Sequence, residues 1–132
     1  MGGRASRYAG AARLIVLSRR VRVFARSQPT DLRLGFSGLA GLVSAELRQD
    51  LLVGDLFLFV SRRRDGARVL YWDGTGLCLY SKKLSQGRFA AVWERSRGAT
   101  VTLSAGELQL FLEGAALPLN PRARPRKVES QR

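Results

Sequence analysis

The chain has 132 residues, enough for one compact domain but not for a second full core. Its formal charge is +13, from 23 Lys and Arg against 10 Asp and Glu, with no histidine and one cysteine. That composition excludes an internal disulfide and the usual zinc ligand sets, so the sequence predicts no metal and no cofactor.

The charge is unevenly placed. Residues 1–20 carry five arginines and no acid, and residues 118–132 carry five cations and Glu129, so the two ends hold +5 and +4 and the centre +4. The expected organisation is a basic, disordered extension over 1–18, a single domain over 19–117 and a disordered Pro/Arg-rich tail over 118–132. Such arms bind polyanions by displacing counterions from phosphates. Arginine supplies 20 of the 23 cations. Its guanidinium grips phosphates and guanine edges and stacks on rings, which suits nucleic acid. The apolar patch Leu14–Leu17 is shorter than the roughly 7 to 15 residues of a signal core. No apolar run reaches the ~18 residues of a membrane span. A soluble, cytoplasmic protein is expected.

In chain order, Arg20–Phe24 alternates as a strand, with Val21 and Val23 on one face. Ser27-Gln28-Pro29 ends it. Thr30 or Asp31 then offers an N-cap for a helix running to Leu47, whose stripe is Leu32, Phe36, Leu39, Val43 and Leu47. Gly35, Gly38 and Gly41 read as places where that helix packs closely on a strand. Leu56–Ser61, Val69–Trp72 and Leu77–Tyr80 form a meander joined by two turns, each containing Asp-Gly, a pair that tolerates positive φ. Arg88–Trp93 and Thr100–Leu103 read as further strands. Ser104-Ala105-Gly106-Glu107 fits a capping box opening a second helix with Leu108, Phe111 and Leu112 inward and Gly114 as its stop. The fold class is α+β: a small curled antiparallel sheet of about four or five strands, with two helices on one face.

Chemistry is harder to find. Metal-dependent strand cutting needs converging carboxylates, yet Asp31 sits at a helix start, Asp65 and Asp73 in turns, Glu107 in a cap and Glu113 at a helix end. Asp73 is the one acid kept as a suspect, and its reading as a turn former is preferred. Cys78, between Leu77 and Leu79, reads as a small buried residue rather than a nucleophile. The sequence predicts no catalytic residues. Binding remains. Arg62, Arg63 and Arg64 fill one turn, Arg68 begins the next strand, and Lys82, Lys83 and Arg88 follow the meander. Antiparallel order places the two sets at the same end of the sheet. Tyr71 and Trp72 must face opposite sides. Either ring can be the exposed one, and Trp72 is the candidate for stacking on a base. The predicted nucleic-acid-binding residues are thus Arg62, Arg63, Arg64, Arg68, Trp72, Lys82, Lys83 and Arg88.

Several segments in register carry a resemblance: Thr30-Asp31-Leu32-Arg33-Leu34-Gly35-Phe36 with Gly38-Leu39, the strand Leu56–Phe59 with its Arg-rich turn, Leu70 to Leu79 around Trp72-Asp73-Gly74, then Lys83-Leu84 and Gly87-Arg88-Phe89. Over roughly residues 19–117 the chain resembles the TnpB accessory proteins of bacterial insertion sequences of the IS66 type. It departs from their pattern at Leu34, Arg68 and Ser81. Against that family the first residues read as an extension. The resemblance implies a non-catalytic accessory protein of DNA transposition. Its expected partners are element DNA and the separate transposase, in the cytoplasm at the nucleoid. The alternative is a protein-interaction module that grips the transposase without touching DNA.

Overall fold

The computed structural model describes residues 21–95 and 98–114. Five strands form one sheet: β1 Val23–Arg26, β2 Leu56–Val60, β3 Gly66–Trp72, β4 Leu77–Lys83 and β5 Thr100–Leu103, in the order β4-β3-β2-β1-β5. The helices are α1, Phe36–Ala45, and α2, Ala105–Leu112, with 3-10 turns at Leu51–Val53 and Val92–Arg95. The α+β class stands. The sheet is mixed rather than wholly antiparallel: β1 runs parallel to β2, Val23 opposite Leu56, and every other pair is antiparallel. The reason is the connection, since α1 lies between β1 and β2 and a chain that crosses over a sheet returns in the same direction.

The helices also do not share a face. Leu39, Val43 and Leu47 pack with Phe24, Phe57, Phe59 and Leu70 on one side, while Leu108 and Phe111 pack with Val23, Ala25, Leu58, Val69 and Tyr71 on the other. All five residues of β2 are buried as a result, the condition of a strand covered on both faces. On the α1 side Phe24 and Phe57 stack at 5.8 Å, and on the α2 side Phe89 and Phe111 stack at 4.8 Å.

Asp55, only 2% exposed, locks the start of the parallel pair: Arg22 donates its backbone N–H to Oδ1 at 3.0 Å and its guanidinium to Oδ2 at 2.9 Å. Arg26 does the same at the far end, donating two hydrogen bonds of 2.9 Å to Glu46 and one of 3.0 Å to the Pro29 carbonyl. Spreading the guanidinium over these acceptors anchors the end of α1 over β1.

Three local expectations change. The first helix begins at Phe36, not at Thr30 or Asp31, because Asp31 accepts the Arg33 N–H at 3.0 Å in a tight turn and Thr30 donates its own N–H to the Val60 carbonyl at 2.8 Å. Of the helix glycines, only Gly38 is closely packed, and against a loop: a Cβ there would lie 2.9 Å from Leu34 Cδ2, while Gly35 and Gly41 face open space. Arg88–Trp93 is not a strand. Its Phe89, Ala91 and Val92 are all buried, a run without alternation, and the segment is tucked beneath α2. The second helix forms as read, with Ser104 Oγ accepting the Glu107 N–H at 3.0 Å and Glu107 accepting the Ser104 N–H at 2.8 Å.

Candidate nucleic-acid interface

The turn between β2 and β3 is built from its backbone outward. Ser61 donates its N–H to the Gly66 carbonyl at 3.0 Å, and Arg64 donates to the Ser61 carbonyl at 2.9 Å. The left-handed residue is Arg64, at φ 63°, whereas Asp65 and Gly66 keep ordinary backbone angles. That geometry leaves Arg62 and Arg63 exposed at the tip. Asp65 works inward: its carboxylate accepts from Ser61 Oγ at 3.3 Å and lies 3.8 Å from Lys83 Nζ.

The segment after β4 closes onto the same turn. Leu84 donates its N–H to the Asp65 carbonyl at 2.8 Å and Phe89 to the Arg64 carbonyl at 2.6 Å. Register adds Lys83 opposite Gly66 and Lys82 opposite Ala67. Both sets of cations therefore stand at one end of the sheet. A third stretch joins them, because the Thr30–Val60 hydrogen bond brings Pro29–Leu32 alongside Ser61–Arg63, and a shallow groove runs between the two. Gly66 permits this approach: a Cβ there would meet Leu32 Cδ1 at 3.0 Å. At the groove edge the Arg33 side chain, 90% exposed, pairs with Asp31 at 3.0 Å. Its hydrogen bond holds the Asp31 carboxyl down at about 2, and the carboxylate in turn raises the guanidinium.

The eight predicted residues divide. Arg62, Arg63, Lys83 and Arg88 are exposed at the rim, and Arg64 is half-buried there. Arg68 is tied down, donating to the Leu34 carbonyl and to Ser81 Oγ, both at 3.2 Å. Lys82 points to the α2 side and donates to the Leu112 carbonyl at 2.6 Å, where a cation suits a helix C-terminus. Trp72 is not brought to the rim. It closes the other end of β3 opposite Leu77, half-buried on the α1 face, while Tyr71 is buried on the α2 face.

Two exposed residues missed in the sequence follow the stretch that borders the groove, Arg33 directly after it and Phe36 at the start of α1. Phe36 belongs to the apolar stripe by spacing, yet it is 49% exposed. As the first residue of α1 its side chain leans toward the helix N-terminus, past the end of the surface the helix covers.

Asp73 is occupied as a turn former. Its Oδ1 accepts from Thr75 N at 2.8 Å, Gly76 N at 2.9 Å and Thr75 Oγ at 3.0 Å, and the backbone donors hold its carboxyl at about 2. Burial pushes the Cys78 thiol up, as does its hydrogen bond with Asp73, and both disfavour the thiolate that a nucleophile needs. Among the described residues no group of three or more His, Cys, Asp or Glu converges to hold a metal ion. Nor, among them, is any helix long and apolar enough to cross a membrane.

The class this geometry defines is a small α+β domain with both sheet faces filled and one sheet end rich in cations. The chain belongs to the family described as IS66 Orf2 like protein, which matches residues 21–120, a family of accessory proteins associated with the transposition of insertion sequences. It is 35% identical over 114 residues to the uncharacterized protein y4jC of Sinorhizobium fredii, covering 84% of this chain and 96% of that one. It is 38% identical over 94 residues to the uncharacterized protein y4hO of the same organism, covering 71% and 80%. No solved structure matches the chain.

Proposed function

We propose that the protein assists transposition by binding DNA of the element, and the transposase assembled on it, through the cationic rim, while the transposase carries out the cutting and joining. The observation that carries this reading is the exposure of Arg62 and Arg63 on a turn anchored by two other segments, with Lys83 and Arg88 beside it. A guanidinium pair carried on a braced turn meets phosphates without reordering of the backbone, so the ordering cost of binding is confined to the side chains. The basic ends, +5 over residues 1–20 and +4 over 118–132, add sequence-neutral attraction to the same polyanion.

A gel shift on element-end duplex, with and without the transposase, tests the reading. A shift that weakens steeply with salt is expected, and no shift in either case overturns it. The protein itself cleaves nothing: supercoiled or element-end DNA incubated with magnesium or manganese stays intact. Nicking abolished by Asp73→Ala would overturn the non-catalytic assignment.

A second reading, a module that grips the transposase without DNA contact, has one observation in its favour. Leu52 and Val53, in the first 3-10 turn, are 65% and 63% exposed, and that turn packs against β3. Binding through this apolar pair would be nearly indifferent to salt.

A further inference from the structure

We infer that Phe36, and not Trp72, is the ring this protein sets against nucleic acid, and that the rim preferentially takes DNA with unpaired bases. The inference rests on the DNA-binding reading above and specifies its ligand.

The placement of Phe36 follows from its neighbours. Leu34, two residues before it, is fixed by the 3.2 Å hydrogen bond from Arg68, and Leu32 sits over Gly66 at the rim end of β3. The segment from Leu32 to Phe36 therefore lies on the face of the sheet where Gly66 pairs with Lys83. The Leu32 end of that segment shares the groove with Arg62 and Arg63 and lies over Gly66, the register partner of Lys83, while Arg33 stands three residues before the ring; the Arg33 and Lys83 side chains are 90% and 78% exposed. At Gly35, immediately before the ring, a Cβ would meet nothing within 4 Å beyond its own chain neighbours, so no other segment covers the backbone there.

A phenyl ring has no hydrogen-bonding group, so what it offers a nucleic acid is a stacking surface, which every base can use. In an intact duplex the bases already stack on each other, and inserting a wedge means unstacking a step. The ring thus adds affinity where a base is already free, and the surrounding cations hold the phosphates on either side. Among the described residues, the other exposed apolar side chains do not compete. Leu52, Val53 and Leu110 are aliphatic, and Tyr80, 40% exposed, lies on β4 opposite Val69, on the α2 face.

The test uses the full chain and one labelled oligonucleotide, presented as a single strand and as its duplex, with affinity read by fluorescence anisotropy. Phe36→Leu is expected to weaken single-strand binding by about 5- to 150-fold, the range of one stacked base, and to leave duplex binding and its salt slope unchanged. Phe36→Trp should restore the affinity, and an unchanged thermal midpoint in each variant places the effect in binding. Equal losses on both forms, no loss on either, or a loss that appears instead in Tyr80→Leu overturns the inference while the DNA-binding reading survives. A wild-type protein that binds neither form overturns both.

Discussion

The two hairpin turns of the meander carry the same Asp-Gly pair and use it in opposite ways. At Asp73–Gly76 the polar groups are spent within the turn: one carboxylate oxygen takes three hydrogen bonds from Thr75 and Gly76, and Gly74 supplies the left-handed angle at φ 102°. At Arg62–Asp65 the left-handed residue is Arg64, Gly66 is the first residue of β3, and the carbonyls of Arg64 and Asp65 accept N–H groups from Phe89 and Leu84. The first turn is closed on itself. The second is a junction, held by chain from elsewhere, and its arginine side chains have no role in holding it. A braced turn with unemployed cations is a platform for a ligand, whereas a self-satisfied turn is a connection.

The largest expected effect comes from removing the platform's side chains. Arg62→Ala with Arg63→Ala should reduce the slope of log affinity against log salt by about 2, one for each phosphate left without its guanidinium. Stability should stay within about 0.5 kcal/mol, as for other exposed substitutions. Arg48→Ala, an exposed charge after α1, is the control. A slope change from Arg48→Ala equal to that from one rim arginine would reduce the rim to generic electrostatics.

Stability separates the two turns next. Gly74→Ala places a side chain at φ 102° and should cost about 1–3 kcal/mol, seen as a lower midpoint in urea. Gly66→Ala meets the Cδ1 end of Leu32 at 3.0 Å, which can shift, and Ser61 only at ordinary contact distance, so it should cost less than Gly74→Ala. Reversal of that order would mean that the rim turn depends on glycine freedom after all. A smaller effect of opposite sign is expected at Arg64. Its φ of 63° suits glycine, so Arg64→Gly should raise stability by about 0.5 kcal/mol, after the extra unfolded-state freedom of glycine is subtracted.

How much of this is legible in the sequence depends on whether the signal is local. The capping box at Ser104 and the Asp73 turn are readable because donors and acceptors lie within three residues of each other. The convergence of Arg62–Arg64 with Lys82–Lys83 is readable because antiparallel register is set by two short turns. The parallel β1–β2 pair is half readable: the helix between the two strands marks a crossover, but nothing local records that they are neighbours in the sheet. Coverage of both faces is readable in principle: Leu56–Val60 has no polar alternation, the mark of a strand buried on two sides. The tethering of Arg68 and Lys82 is invisible, because their acceptors are carbonyls of Leu34 and Leu112, 34 and 30 residues away. Phe36 misleads for a related reason. Its spacing fits the stripe, but the turn at Asp31–Leu34 starts the helix too late to cover it.

The smallest expected effect, acid sensitivity, sharpens the comparison most directly. Asp73 titrates at about 2 in the folded protein against an ordinary 3.8, because the turn's backbone and hydroxyl donors stabilise its charged form. A carboxyl with a depressed folded value stabilises the fold above its unfolded value, and that contribution is lost as pH falls. The window for Asp73 therefore runs from about 3.8 down to about 2. Asp31 has the same window for a different reason, the hydrogen bonds from Arg33. Asp73→Asn keeps an acceptor oxygen but cannot titrate, so its thermal midpoint should fall less than that of the wild type between pH 4 and pH 2. Asp31→Asn should flatten the same region independently, and the two changes should add, since they act in separate turns at opposite ends of the sheet. Salt then tells them apart: the Asp31 contribution depends on an exposed ion pair and should shrink at high ionic strength, while that of Asp73 depends on short neutral donors and should persist. If both shrink alike, the Asp73 turn is not closed on itself and the contrast between the two turns fails.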